Sequence, residues 1–282
     1  MPRVQVYLCG VRGSTPAPGE QFVKIGGNTS CVAIGHDADQ RPSLVLDAGT
    51  GLRPLARLLG GEAFRGTLLI GHLHWDHIMG IPFFSAGDRS DSQVRVLLPE
   101  QGVPAEELLT RVMSPPFFPI TPGLLRGEWS FETYDEGTFE AEQFTVTARE
   151  IPHKGGRTMG LRISDGRSSV AYLSDHAPQQ LGPGADGLGE LHSAAVELAD
   201  GVDLLIHDAQ YTAHELPGRA DWGHAAADYA VTLGNHCKVR RVLLFHHDPS
   251  RTDAQVLAMR DALTVPDGLA VDVAVEGTLI SL

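Results

Sequence analysis

Within the decapeptide GHLHWDHIMG, residues 71–80, three imidazoles and a carboxylate fall inside six positions: His72, His74, Asp76 and His77. A donor set of imidazole and carboxylate, with no thiolate, suits Zn²⁺ first, with Mn²⁺ or Fe²⁺ as substitutes. Divalent metals so held polarise a substrate oxygen and generate hydroxide near neutral pH. The motif directly follows the apolar run TLLI (67–70). In an extended chain, side chains two apart share a face. His72 and His74 therefore point to one side at the strand's end, Asp76 follows them, and His77 falls at the start of the next helix. Four donors at the mouth of a strand suit one metal or two adjacent ones. The competing reading, a polar strand-to-helix turn with surface histidines, does not account for this density of donors.

Rigid elements must hold such a loop in place. Short β-branched runs recur along the chain: VQVYL (4–8), CVAI (31–34), SLVLD (43–47), TLLIG (67–71) and VRVLL (94–98) read as strands. FTVTA (144–148), MGLRI (159–163), SVAYL (169–173), VDLLIH (202–207), VRRVLLF (239–245) and VDVAV (271–275) continue the series. Helical stretches are expected at 52–59, 103–112, 188–199, 224–235 and 252–263, the last with Thr252 and Asp253 at its N-terminus. Strands alternating with helices predict an α/β layered fold, and runs apolar on both faces, such as 204–207, predict strands covered on both sides. No linker, low-complexity tract or strong repeat interrupts the 282 residues, so one domain over 1–282 is expected. The segment MSPPFFPITPG (113–123) cannot form regular structure, because its four prolines fix φ and remove donors. Its paired phenylalanines suit a pocket wall, a lid or a subunit contact.

The net charge of −13, from 22 basic and 35 acidic side chains, argues against a general nucleic-acid binder, which carries a basic surface. A small anionic substrate remains compatible, because bound cations dominate the local field. Cys9, Cys31 and Cys237 form no CxxC pair and read as buried thiols. With no basic-then-apolar leader at the N-terminus and no apolar run near the length of a membrane span, no membrane association and a cytoplasmic location are the expectation.

The pattern H-x-H-x-D-H after a hydrophobic strand resembles the signature of the metallo-β-lactamase superfamily. That resemblance implies an αββα sandwich with the motif at one edge of two packed sheets. It also implies further ligands, found here in chain order: His153 in EIPHKGG (150–156), Asp175 in VAYLSDHAP (170–178) and His246 in RVLLFHHDP (241–249), with His247 as its neighbouring competitor. By the same resemblance, His72, His74 and His153 would hold one metal, Asp76, His77 and His246 a second, and Asp175 would bridge them. Asp47 in LVLDAGTG matches the family's early Asp and would orient the ligand loop; as a bare sequence feature it is also a turn-capping residue. GVRGSTP (10–16) and GGNTSC (26–31) are similar to the family's opening, and would bring Ser14, Thr15 and Asn28 near the substrate, although Gly-rich turn chemistry fits these segments as well.

The C-terminal third is similar to the phosphodiesterase branch, which includes the tRNA 3′-processing endonucleases. Those have His-Glu-Ala followed by a His that opens a helix. Here His207-Asp208-Ala209 and His224 stand at those places, with the acid one methylene shorter. The implied role of His224, oriented by Asp208, is general acid toward the departing oxygen; a helix-capping His224 is the structural alternative. Asp76, a metal ligand by the same resemblance, completes the expected catalytic set with His224 and Asp208. Departure from the branch is equally plain. The tRNA-gripping arm lies between the third His motif and the bridging Asp, whereas only 21 residues separate His153 from Asp175, and two strands already use them. The expectation is therefore a two-metal phosphodiesterase for a small cyclic nucleotide or cyclic phosphate ester. A lactonase, thioesterase or other ester or amide hydrolase of the same fold is the first alternative, and a non-catalytic small-molecule binder the second. Homodimers are common in this branch, and 113–123 could contribute to one.

Overall fold

The computed structural model describes residues 3–36 and 41–282. Two seven-stranded sheets face one another. The first runs in the order β14-β1-β2-β3-β4-β5-β6, built from β1 (Val4–Gly10), β2 (Cys31–His36), β3 (Leu44–Leu46), β4 (Arg65–Leu69), β5 (Gln93–Pro99), β6 (Glu128–Tyr134) and β14 (Leu279–Ser281). The second runs β13-β12-β11-β10-β9-β8-β7, from β7 (Gly137–Ala141), β8 (Phe144–Glu150), β9 (Met159–Ser164), β10 (Ser169–Leu173), β11 (Leu204–Asp208), β12 (Arg241–Phe245) and β13 (Ala270–Val273). Each sheet has an antiparallel half followed by a parallel half. In the first, β3, β4, β5 and β6 pair in parallel; in the second, β10, β11, β12 and β13 do.

Period-two alternation sorts the side chains into layers. Val4, Val6 and Leu8 of β1, Leu44 and Leu46 of β3, and Leu204 and Ile206 of β11 point between the sheets, where they form one buried core with Phe144, Tyr172 and Phe245. Their neighbours face outward and are also covered. Val45 and Leu68 pack with Leu52 and Leu55 of α1 (Leu52–Leu58) and Leu109 of α3 (Ala105–Thr110). Leu205 and Val242 pack with Leu198 of α4 (Ser193–Ala199), Leu233 of α5 (Ala227–His236) and Met259 of α6 (Asp253–Asp261). The four layers are the expected αββα sandwich, and the strands predicted to be apolar on both faces are those with a helix behind them.

Three strands were not predicted from the sequence. β6 (EWSFETY) alternates exposed and half-covered residues at an open sheet edge, β7 is the opposite edge, and β14 has three residues. The helix expected at 188–199 begins only at Ser193, and that expected at 224–235 begins at Ala227. The second shift has a clear cause. Tyr211 bonds the backbone on both sides of Ala226, accepting from Ala227 and donating to Ala225, which holds 224–226 extended. Segment 113–123 forms turns and a 3-10 turn at Pro122–Leu124. Cys9, Cys31 and Cys237 are buried free thiols. Among the described residues, no helix is long and apolar enough to cross a membrane.

Candidate metal centre

Parallel strands deliver their carboxyl ends to one rim of a sandwich, and ligand-holding loops gather there. Asp47 follows β3. His72 and His74 follow β4, and Asp76 and His77 sit in the short helix α2 (Trp75–Ile78) just beyond. From the opposite sheet, Asp175 follows β10, Asp208 ends β11 and His246 follows β12, while His153 follows the antiparallel β8. Both sheets thus feed one site from their matching halves.

The structure brings all seven expected ligands together. Nitrogens of His72, His74 and His153 and an oxygen of Asp175 lie within 4.8 Å of one another, as do the ligand atoms of Asp76, His77 and His246. His153 Nε2 stands 3.2 Å from His74 Nδ1 and 3.5 Å from Asp175 Oδ2, and His72 Nε2 is 3.6 Å from the same oxygen. The other carboxylate oxygen of Asp175, Oδ1, faces the second group, 3.2 Å from His77 Nε2 and 3.2 Å from His246 Nε2. Asp76 Oδ2 completes that group at 3.2 Å from His77 Nε2 and 3.1 Å from His246 Nε2. Asp175 therefore turns one oxygen to each group.

These residues fit a pair of metal ions on three counts. The atoms are N and O donors only. Their spacings match the edge of a tetrahedron with metal–ligand bonds of ~2.0–2.1 Å, which is about 3.3 Å. Several are buried with no hydrogen-bond partner: both ring nitrogens of His72, Nε2 of His77 and Oδ1 of Asp175. A buried polar atom left unpaired is costly, and a cation at the centre of each group would satisfy one nitrogen of His72, Nε2 of His77 and Oδ1 of Asp175.

Charge balance points the same way. Burial drives His72 well below its ordinary value and His153 down to about 4, so both rings are neutral, the form that offers a lone pair. Burial would also lower His77 and His246, but the carboxylates of Asp76 and Asp175 outweigh it and raise both. Conversely, burial would raise Asp76 and Asp175, yet the neighbouring His77 and His246 hold both carboxyls below their usual range.

A ring of contacts fixes the donors. Asp47 Oδ2 lies 2.7 Å from His77 Nδ1 and accepts a 2.7 Å bond from the Tyr172 hydroxyl, while Oδ1 accepts from the Gly71 N–H at 2.7 Å. One buried carboxylate thus anchors both ends of the ligand loop. His153 Nδ1 donates to the Gly223 carbonyl at 2.6 Å. The Ser14 N–H donates to Asp76 Oδ2 at 2.6 Å, which places Ser14 at the site as expected. Asn28 is elsewhere: its side-chain amide donates to Glu276 at 2.6 Å, and it serves the β1–β2 connection. The Thr15 N–H donates a turn bond to the Gly13 carbonyl at 2.6 Å.

His246 and His247 are separated by geometry. His246 takes a left-handed backbone at φ 57°, which turns its ring into the site. His247 is buried on the far side and donates to the Ala274 carbonyl at 3.0 Å. The turn at His246 also gives Gly13 its reason, since a Cβ there would collide with the His246 ring.

His224 lies at the edge of the second group. Its Nδ1 is 2.9 Å from Asp208 Oδ2 and 3.8 Å from Asp175 Oδ2, and its ring stacks on His246 at 4.9 Å. It does not cap α5, whose N-cap is Ala226. Asp208 is completely buried, and its second oxygen accepts from the Gln210 N–H at 3.0 Å. Two histidines in this neighbourhood were given no role by the sequence, although His207 stands in the His207-Asp208-Ala209 match. His176 and His207 sit behind Asp208, visible only once β10 and β11 are known to pair with Leu173 beside His207.

A family model described as "Beta-lactamase superfamily domain" matches residues 43–247, more than two thirds of the chain. Over 217 residues the chain is 28% identical to a ribonuclease Z of Anoxybacillus flavithermus, covering 64% of this chain and 68% of that protein. The structure is similar to the metallo-beta-lactamase fold protein YhfI of Bacillus subtilis, with a TM-score of 0.72 and 18% identity over 99% of each chain. It is also similar to a diphosphatase from the PhnP family, with a TM-score of 0.66 and 17% identity over 99% of this chain and 98% of that one.

Proposed function

The chain belongs to the beta-lactamase superfamily, and we propose that within it this protein is a two-metal phosphodiesterase for small phosphate esters, with His72, His74 and His153 on one ion, Asp76, His77 and His246 on the other, and Asp175 between them. Zn²⁺ is the first choice of metal, with Mn²⁺ or Fe²⁺ as substitutes. When bound, such a pair polarises the phosphoryl oxygens and supplies the nucleophile. The ribonuclease Z and diphosphatase relatives support phosphorus chemistry, and a cyclic nucleotide or cyclic phosphate ester fits as substrate.

The observation that carries the reading is the His224–Asp208 contact at 2.9 Å, placed beside the paired groups. A hydrolase of carboxylic esters, lactones or β-lactams has less use for a second buried acid–imidazole pair. Phosphodiester cleavage must deliver a proton to an alkoxide or phenoxide as it departs. With Nδ1 engaged by Asp208, the His224 ring presents its other nitrogen, and 10% of the side-chain surface remains open. Asp208 fixes the orientation of the ring beside the paired groups, and a general acid needs that geometry first.

The interval that would carry a tRNA-binding arm favours a small substrate. Between His153 and Asp175 the chain forms the β9–β10 hairpin, closed by a turn at 165–168 in which Asp165 Oδ1 accepts from the Arg167 and Ser168 N–H groups. That interval is taken up by a short turn at 154–158 and the hairpin, which leaves no room for an arm.

Metal-loaded protein is expected to cleave bis(p-nitrophenyl) phosphate faster than p-nitrophenyl esters, lactones or thioesters. His224→Ala should keep two metals per chain and lose ~10²- to 10⁴-fold in turnover of phosphodiesters with poor leaving groups. Full turnover of such substrates by the variant would remove His224 from the mechanism.

A further inference from the structure

Behind the Asp208–His224 pair, two fully buried histidines face each other across adjacent strands. His176 Nδ1 lies 3.0 Å from His207 Nε2, and His207 Nδ1 lies 2.7 Å from the Asp208 carbonyl oxygen. Both rings are fully buried and no ring nitrogen of either meets a carboxylate, and a buried charge without a partner is costly, so both are neutral imidazoles. Their tautomers then follow from the contacts alone. A carbonyl oxygen only accepts, so His207 Nδ1 carries the hydrogen and its Nε2 is bare. Facing that bare nitrogen, His176 Nδ1 must be the donor. Donation therefore runs in one direction: from His176 to His207, and from His207 to the Asp208 carbonyl.

His176 also reaches Asp208 by a second route. Its backbone N–H donates to Asp208 Oδ2 at 3.2 Å, the same oxygen that engages His224. The two histidines and Asp208 thus form a closed loop of hydrogen bonds that grips Asp208 at both its carbonyl and its carboxylate. Two imidazoles are an expensive way to tie strands together here. The surrounding layer is apolar, built from Leu173, Leu205 and Tyr229, and His176 Nε2 is left with no partner. A polar pair whose rings meet Tyr229 edge-on at 5.5 Å and tilted at 5.6 Å could be replaced by aliphatic side chains at a gain in burial.

We propose that His176 and His207 are positioning residues for the proton-delivering pair: the one-way donation from His176 through His207 to Asp208 sets the carboxylate that orients His224. The inference rests on the general-acid role of His224 argued above. Neither histidine touches the substrate. Their effect is confined to the step in which the leaving oxygen is protonated, because a carboxylate displaced by a fraction of an ångström no longer holds the His224 ring in line.

The test uses the metal-loaded full chain and two substrates, phenyl methyl phosphate and p-nitrophenyl methyl phosphate, which differ in how much their leaving oxygen needs a proton. The readout is the ratio of their turnover rates together with bound metal per chain. His176→Phe keeps the ring's volume and removes the donor; the phenyl to p-nitrophenyl ratio should fall by on the order of 10-fold or more, with two metals retained. His176→Asn places an amide N–H where Nδ1 was and should restore most of the ratio, which a merely structural role does not predict. If the Phe variant does not fold, His207→Gln carries the same reading, since it keeps an acceptor for His176 and loses the donor to the Asp208 carbonyl. A His176→Phe or His207→Gln variant whose ratio is unchanged, while His224→Ala lowers it, overturns the inference and leaves the general acid standing. An unchanged ratio in His224→Ala overturns the general acid and this inference together. Loss of metal from the His176 and His207 variants would assign the pair to holding Asp175, and also overturns it.

Discussion

Asp47 adopts φ 57°, a left-handed backbone that costs a non-glycine residue on the order of 1 kcal/mol or more. Ser14 and His246 do the same, at φ 62° and 57°. Among the described residues only five non-glycines have positive φ, and three of them brace the site: Ser14 and His246 meet Asp76 Oδ2, and Asp47 meets His77. Strain of this kind persists where the surroundings over-determine it, and here it aims a carboxylate, an amide N–H and an imidazole inward. Asp47→Asn keeps the shape and removes the charge opposite His77. Metal affinity should drop ~10- to 100-fold, as expected when the partner of a ligating imidazole is weakened, measured by competition with a chromogenic chelator; unchanged affinity would mean that Asp47 only shapes the turn. The clustering of His72, His74, Asp76 and His77 was legible in the sequence because donors packed so densely rarely serve anything but a metal. The pairing of His176 with His207 was not: His176 reads as a lone histidine beside an aspartate, and His207, though part of the His207-Asp208-Ala209 match, gives no sign of its partner across the strands.

At the scale of elements, loops at strand ends hold the site, and contacts between those loops brace it. Gly13 passes against the His246 ring, and Gly13→Ala would force the two apart. Bound metal should fall from two ions per chain toward one, read by elemental analysis, because only the group containing His246 is disturbed. Two retained ions would show that the His246 loop yields without cost. Thr252 offers a control far from the chemistry. Its hydroxyl accepts from the Gln255 N–H, and the Gln255 side chain accepts from the Thr252 N–H in return. Thr252→Ala should cost about 1 kcal/mol, roughly 2–4 °C in Tm for a chain of this size, with metal content unchanged. The start of α6 was legible because capping chemistry is local. The start of α5 was not, because Tyr211, far back in the sequence, holds 224–226 extended by backbone bonds that no side-chain pattern reports. Edge strands β6 and β7 were missed for a related reason: with one face open to water, their alternation reads as a polar loop.

Across the whole molecule, two sheets of matching topology place their parallel halves at one rim, and the site draws on both. No sequence repeat announces this symmetry; it exists only in how the strands pair. The layered class was readable from strand–helix alternation, and the sandwich from the family resemblance, whereas the pairing of β3 and β4 against β10, β11 and β12 required the structure. Charge acts at this scale too. A net charge of −13 works against the long-range attraction of polyanions, while two divalent cations in the site would still attract a small anion. The most direct measurement is kcat/KM for the metal-loaded protein on bis(p-nitrophenyl) phosphate beside a p-nitrophenyl ester, a lactone and a thioester, before and after chelation. The expected result is turnover highest on the phosphodiester, lost with the metals and restored by Zn²⁺ or Mn²⁺. A protein that carries two ions, ignores the phosphodiester and hydrolyses a carboxylic ester, lactone or thioester would contradict the proposed chemistry.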